Sequence, residues 1–177
     1  MMKRLIFALV LVAGVSTAVP TGGQMRVMPV ADQPGKVAVG LLLRQLNSVG
    51  TFLSTTAHPD DENNGLFAAL RFGQGMRTVL LTQTRGNGGQ NEIGPELFED
   101  LAVLRTEELA AAHRFDGTEQ FFGRSIDFGY SFSVEETLEK WGHQEALSDF
   151  VRIIRTVRPD VITGFIWGGD GGGQHHQ

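Results

Sequence analysis

Two short β-prone segments with a helical segment between them constrain the fold of this chain more than any other feature. Residues 51–56 form an apolar and β-branched run, bounded by a glycine before it and a His-Pro pair after it, which predicts a buried strand. Residues 65–72 have a helical pattern, and residues 77–84 form a second β-prone run. A strand, a helix and a strand at this spacing predict a βαβ unit with parallel strands.

The same alternation continues along the chain. Helices are predicted over residues 37–46, 96–114 and 144–157, and further strands over residues 120–122 and 160–166. The apolar face predicted for the longest helix consists of Leu97, Leu101, Leu104 and Leu109. This order favours an α/β fold, a Rossmann-like three-layer sandwich with a mainly parallel sheet and helices on both faces. Ligands bind such sheets beyond the carboxyl ends of the strands, where loops 58–64, 85–92 and 168–177 are expected.

The amino terminus has the pattern of a secretory signal peptide. Two basic residues precede a short apolar run, and small residues end the segment at Ala18. We therefore predict a signal peptide at residues 1–18 and an exported protein, periplasmic or extracellular. An uncleaved membrane anchor is disfavoured, because a membrane-spanning helix usually needs about 20 residues. Residues 19–36, rich in proline and glycine, predict an extended lead-in to a domain at residues 37–177.

Composition restricts the partners and the chemistry of the chain. The formal net charge is −5, and no basic patch suited to nucleic acid or anionic lipid is visible. A nucleic-acid partner is therefore not expected. The sequence contains no cysteine, so that any metal site must be built from His, Asp and Glu side chains.

One turn after the strand at 51–56 brings together side chains suited to metal chemistry. His58, Asp60 and Asp61 place an imidazole and two adjacent carboxylates directly beyond the predicted strand. Such groups are ordinary zinc ligands, and a catalytic zinc usually takes three protein ligands. The pair His175 and His176 offers the third. Because adjacent carboxylates point in different directions, one could bind metal while the other acts as a base.

The residues alone leave simpler interpretations open. An Asp-Asp pair after a strand can cap the following helix through its side-chain oxygens. The glycine-rich loop 85–92 can approach a ligand closely, but its spacing matches no nucleotide-binding fingerprint. Arg105 and Glu108, three apart on a helix, would by default form an ion pair or remain solvated. His113 and His143 have no partners at ligand spacing and are interpreted as ordinary helix and surface residues.

Three segments resemble the PIG-L/LmbE family of zinc-dependent de-N-acetylases. They are Ala57-His58-Pro59-Asp60-Asp61-Glu62, the loop Thr84-Arg85-Gly86-Asn87-Gly88-Gly89-Gln90-Asn91-Glu92, and Leu104-Arg105-Thr106-Glu107-Glu108-Leu109. The resemblance covers roughly residues 51–177. It implies the removal of an acetyl group from an N-acetylated sugar of the N-acetylglucosamine type, with release of acetate. It also implies that the chain is a fragment, truncated at its carboxyl-terminal end.

The resemblance further implies roles for the residues of the motif. His58 and Asp61 would bind Zn²⁺, and Asp60 would be the general base that takes a proton from the attacking water. The register of the family pattern favours His176 as the third metal ligand, with His175 as the alternative.

Other residues are expected to contact the substrate or to support the site. Arg85, in the glycine-rich loop, and Asp127 are the predicted substrate contacts. Arg105 and Glu108 would belong to a buried network around the site. The family's oxyanion-stabilising histidine would fall on Gly173, where this sequence does not match the pattern.

Two other functions are compatible with the same residues. The first is a noncatalytic glycan-binding domain of the cell envelope, which the intact Asp60 disfavours because a binding module needs no free carboxylate beside its metal. The second is a metal-dependent hydrolase of another amide or of an ester, because the loops that select the substrate cannot be predicted from this sequence.

Overall fold

A computed structural model of the chain describes residues 26–27, 35–89 and 91–164. The predicted signal peptide at residues 1–18, most of the lead-in at 19–36 and the end of the chain from residue 165 lie outside the described residues. His175 and His176 belong to that last segment. Within the described part of the chain, none of the helices combines the length and the apolar character needed to cross a bilayer.

Strands and helices alternate as the sequence predicts. In chain order the elements are β1 (Arg26–Val27), α1 (Gly35–Leu46), β2 (Thr51–Thr56), α2 (Asn64–Ala68), a π-helical turn (Ala69–Gly73), β3 (Arg77–Thr82), α3 (Phe98–Asp116), β4 (Glu119–Phe122), α4 (Val134–Trp141), α5 (His143–Val157) and β5 (Val161–Thr163). The strand order is β1-β4-β3-β2-β5. Strands β2 to β5 are parallel, and β1 pairs antiparallel with β4 at one edge. The predicted α/β fold with a mainly parallel sheet is confirmed.

The core lies on both faces of the sheet because successive strand residues point to opposite sides. On one face, strand residues pack against α5 in a cluster of Leu53, Val79, Leu81, Phe121, Ile153 and Val157. On the other face, strand residues pack against α2 and α3 in a cluster of Phe52, Phe67, Leu80, Leu109 and Phe122. Burial on both faces explains why β2 and β3 are apolar or β-branched at all but one position each.

Several boundaries differ from the prediction. The strand expected at residues 77–84 ends at Thr82, and the helix expected at 65–72 is divided into α2 and the π-helical turn. Helix α1 begins two residues before the expected start, at Gly35, and β1 lies within the expected lead-in. The described part of the strand expected at 160–166 is Val161–Thr163.

Helix α4 was not predicted, although its start carries a recognisable signal. The Ser133 side chain accepts a hydrogen bond from the Glu136 backbone N–H at 3.1 Å. The Glu136 carboxylate accepts in turn from the Phe132 N–H at 2.9 Å. A serine followed three residues later by glutamate is a capping-box pattern, which satisfies the free N–H groups of a first turn.

The predicted apolar face of α3 is wrong at two positions. Leu101 and Leu109 are buried, but Leu97 and Leu104 are exposed. The helix turns Arg105 toward the sheet instead of Leu104. A polar residue therefore occupies the position that the apolar pattern assigned to leucine.

The orientation of α3 predicts unequal effects of two leucine substitutions. Leu109→Ala should lower the free energy of unfolding by about 2–5 kcal/mol, because it removes buried methyl groups and leaves a cavity. Leu104→Ala on the same helix is the matched control and should cost less than about 1 kcal/mol. Urea unfolding followed by circular dichroism measures both changes. Equal losses would contradict this orientation of the helix.

Candidate active site

The candidate site lies at the carboxyl ends of the parallel strands. Strand β2 has β3 on one side and β5 on the other, which makes its end a point where the strand order reverses. Strands β2 and β3 pair from Thr51 with Arg77 to Thr56 with Thr82, so that their following loops begin side by side. The Ala57 carbonyl accepts hydrogen bonds from the backbone N–H and the hydroxyl of Thr84, at 3.0 and 2.8 Å. The first two loops are therefore joined at their base.

A tight turn after β2 brings Asp61 back to His58. The Asp61 N–H points to the His58 carbonyl at 3.5 Å, and Pro59 supplies the fixed φ favoured at the second position of such a turn. The Asp61 carboxylate accepts a hydrogen bond from the His58 backbone N–H at 2.9 Å. As a result, Asp61 Oδ2 lies 3.6 Å from Nδ1 of the His58 imidazole.

A second carboxylate faces the other nitrogen of the same imidazole. His58 is 5 % exposed, and its Nε2 lies 3.5 Å from Asp127 Oδ1. Asp127 belongs to the loop after β4 and accepts hydrogen bonds from the N–H groups of Gly88 and Gly129, at 3.0 and 2.8 Å. The loops after β2 and β4 thus meet at one buried imidazole, and the loop after β3 holds Asp127 beside it.

The two carboxylates around His58 favour the protonated, positively charged form of its imidazole. Burial lowers the pKa of the imidazole, but hydrogen bonds and charge from Asp127 and Asp61 outweigh burial and raise that pKa to about 9. Burial raises the pKa of Asp127, but His58 and the two backbone N–H donors bring it below its ordinary value. Two carboxylates around one imidazole therefore favour positive charge at this position.

The pair His58 and Asp61 fits Zn²⁺ in donor type and in spacing. A tetrahedral zinc with nitrogen and oxygen ligands at about 2.1 Å holds those two atoms about 3.4 Å apart. The separation of 3.6 Å between His58 Nδ1 and Asp61 Oδ2 is close to this value. Residues 26–27, 35–89 and 91–164 contain no group of three His, Cys, Asp or Glu side chains arranged as a complete metal site. The predicted third ligand, His176, lies outside these ranges.

Asp60 forms an ion pair with Arg105. Its Oδ2 lies 2.8 Å from Nη2 of Arg105, and half of the Asp60 side chain remains exposed. Arg105 itself is buried, whereas Glu108 is exposed on the same helix. Of the interpretations left open for this pair, an ion pair between Arg105 and Glu108 is not formed: Glu108 is exposed, and Arg105 alone takes a buried position beside the motif.

Two glycines of the loop after β3 allow this close packing. Gly86 has a φ of +71°, and a Cβ there would lie 2.6 Å from Arg105 Nη1. At Gly88, a Cβ would lie 2.6 Å from Asp127 Oδ1. A side chain at either position would displace a charged group of the site, because nonbonded heavy atoms cannot approach so closely. The glycines of this loop thus allow close approach to Arg105 and Asp127. Close approach to a ligand stays a prediction.

Arg85 lies against the helix and strand beside the site. Its guanidinium carbon is 4.2 Å from the centroid of the Phe122 ring, and its Nη1 donates to the Thr106 hydroxyl at 2.9 Å. Burial lowers the pKa of this guanidinium. These contacts fix its position, and its contact with substrate stays a prediction.

The helix-capping alternative for the Asp-Asp pair is wrong. The residue that caps α2 is Asn63, whose side-chain oxygen accepts from the Leu66 N–H at 2.9 Å. Between the pair and the cap, Glu62 has a buried Oε2 without a hydrogen-bond partner in the described part of the chain, and burial raises the pKa of its carboxyl group. Neither Asp60 nor Asp61 therefore serves as the cap of α2.

A buried polar network behind the site was missed from the sequence. His113 is fully buried, with Nδ1 3.0 Å from both Asp116 carboxylate oxygens and Nε2 3.0 Å from Gln120 Oε1. The Gln120 amide donates in turn to the Thr82 hydroxyl at 3.0 Å. This network joins α3 to β4 and β3, so that His113 is more than an ordinary helix residue. His143, by contrast, is exposed as expected.

Known proteins with similar sequences identify the family of the chain. The model of the PIG-L family, described as GlcNAc-PI de-N-acetylase, matches residues 53–177. A 1D-myo-inositol 2-acetamido-2-deoxy-alpha-D-glucopyranoside deacetylase of Streptomyces scabiei (strain 87.22) is 34% identical, over 73% of this chain and 45% of that protein. A deacetylase of the same name from Kineococcus radiotolerans is 32% identical, over 76% of this chain and 44% of its own length. The chain thus spans less than half the length of these relatives. Because the family model covers most of it, including the motif from His58 to Asp61, the chain belongs to the PIG-L family.

Proposed function

We propose that the protein carrying this chain is a Zn²⁺-dependent hydrolase that removes the acetyl group from an N-acetylglucosamine-type conjugate. The observation that carries the proposal is the placement of Asp60. It provides a half-exposed carboxylate in the same turn as His58 and Asp61, adjacent to Asp61 in the chain. The relatives, which are named as deacetylases of a 2-acetamido-2-deoxy-glucopyranoside, support the choice of substrate. The basic and apolar pattern of residues 1–18 supports export as part of the same proposal.

His58 and Asp61 would hold the metal, with His176 as the predicted third ligand. When bound, Zn²⁺ would supply Lewis-acid catalysis by polarising the amide carbonyl and lowering the pKa of a bound water. Burial of the imidazole and the hydrogen bond from the His58 N–H to Asp61 would hold these two side chains in place before metal binds. Such preorganisation favours catalysis because the ligand geometry is fixed before the substrate binds.

Asp60 would act as the general base. Its carboxylate would take a proton from the water that attacks the acetyl carbonyl, and the same proton would pass to the departing amine nitrogen. The carbon–nitrogen bond breaks, and the products are acetate and a free amino sugar. Arg105 would orient this carboxylate from the buried side through its 2.8 Å ion pair, and the exposed part of Asp60 would remain open to the substrate.

The base role predicts that Asp60→Asn separates turnover from metal binding. Acetate release should fall by about 10²–10⁴-fold, because the amide cannot accept the proton of the water. Bound zinc should remain, since Asp60 is not a metal ligand in this account. The measurement is acetate release from an N-acetylglucosamine conjugate together with the metal content of the same sample.

Two further variants control this experiment. His58→Ala should lose both zinc and acetate release, because it removes a metal ligand. Asp100→Asn, which changes an exposed acid in the first turn of α3, should retain both. An Asp60→Asn protein that holds zinc and turns over at the rate of the unmodified protein would exclude Asp60 as the base.

The orienting role of Arg105 predicts a loss that guanidinium ion can reverse. Arg105→Ala should lower kcat by about 10²-fold, because the base is no longer held in one orientation. Added guanidinium should recover part of this loss by occupying the space of the missing side chain, while zinc content stays unchanged. Arg152→Ala, an exposed position on α5, is the control and should respond to neither change. A folded Arg105→Ala protein with unaltered kcat would contradict this role.

A further inference from the structure

The His58 imidazole is held by a carboxylate at each of its two nitrogens. Asp61 faces Nδ1 at 3.6 Å, and Asp127 faces Nε2 at 3.5 Å. Asp61 is next to the base and within the same turn, whereas Asp127 comes from the loop after β4. If His58 and Asp61 share a metal ion, that ion lies on the Nδ1 side of the ring. Asp127 is then the partner of the nitrogen that does not bind the metal.

We propose that Asp127 is a positioning residue for the metal site: it accepts the Nε2–H of His58 and so holds the ring with Nδ1 turned toward Asp61 and the ion. This inference rests on the metal dependence proposed above. A histidine that binds a metal through one nitrogen usually donates its other N–H to a carboxylate or a carbonyl, which fixes the ring orientation and the tautomer. Asp127 Oδ1, 3.5 Å from His58 Nε2, is in the position of such a partner.

The surroundings of Asp127 suit a fixed position. Its two oxygens accept hydrogen bonds from the backbone N–H groups of Gly88 and Gly129, and only 7 % of the residue is exposed. A Cβ at Gly88 would lie 2.6 Å from Asp127 Oδ1, so that this approach requires glycine. The carboxylate is therefore held by two loops while it faces the imidazole.

This role differs from the substrate contact predicted for Asp127 from the sequence. A residue whose main effect is on a sugar hydroxyl changes KM and leaves metal affinity unaltered. A residue that orients His58 changes metal affinity even when no substrate is present. The two roles are separated by an experiment that contains Zn²⁺ and no sugar.

The test measures the affinity of the full-length protein for Zn²⁺ by competition with a chromogenic chelator. Asp127→Ala should weaken Zn²⁺ affinity by about 10–100-fold, the usual cost of losing such a partner. Asp127→Asn should fall between Asp127→Ala and the unmodified protein, because its amide oxygen still accepts a hydrogen bond but carries no charge. KM and kcat for a sugar substrate are then measured with saturating Zn²⁺. They show how much of the lost activity is restored once the metal site is filled.

Asp149→Asn is the matched control. Asp149 is a buried carboxylate that also anchors the segment after β4, by accepting from the Arg124 N–H at 2.9 Å, and it belongs to α5 rather than to the His58 site. Its substitution should leave Zn²⁺ affinity unchanged. Circular dichroism of each variant confirms folding, and Asp127→Asn decides the question if Asp127→Ala does not fold.

Different outcomes overturn different claims. Unchanged Zn²⁺ affinity in folded Asp127 variants, with a raised KM, would overturn the positioning role and leave the proposed deacetylase intact. An equal loss in Asp149→Asn would overturn it as well, because the effect would then be general to the loop. If the unmodified protein binds no Zn²⁺, both the proposed metal dependence and this inference are wrong.

Discussion

The buried imidazole of His58, held between two carboxylates, is the interaction on which the candidate site depends. A buried charge is stable only when it is paired, and removing one partner of such a pair typically costs about 3–5 kcal/mol. His58 meets this condition with Asp61 from its own turn and Asp127 from another loop. The fold makes the arrangement possible because β2 is paired on both sides and ends beside β3. The pairing of β2 with its neighbours in the sheet thus fixes the position of the His58 side chain.

Helix α3 also supports the candidate site, because its buried side combines core residues with residues of the site. Leu101 and Leu109 contribute to the core, while Arg105 reaches Asp60 and Thr106 accepts from Arg85. Buried polar groups are tolerated where each finds a partner. In α3 these partners come from the loops that follow β2 and β3. A displacement of the helix would therefore alter both packing and the orientation of the proposed base.

The sequence predicts local features well. Strand β2 has the predicted bounds because a glycine and a His-Pro pair flank a β-branched run. The residues alone placed His58, Asp60 and Asp61 in one turn, and only the resemblance to the family selected Asp61 as the partner of His58. The contact of His58 with Asp127 joins two distant loops, and no periodicity reveals it. The face of α3 was misassigned at Leu104 because apolar spacing cannot show that a site needs a buried arginine. The short helix α4 carried only a capping signal.

The central claim is that hydrolysis depends on a metal held at His58 and Asp61, and removal and return of the metal test it most directly. The full-length protein is stripped with a chelator, and acetate release from an N-acetylglucosamine conjugate is measured before stripping, after stripping and after addition of Zn²⁺. The account predicts that release is lost on stripping and restored by one equivalent of Zn²⁺ per chain. Acetate release that continues unchanged in protein shown to contain no metal would contradict the account.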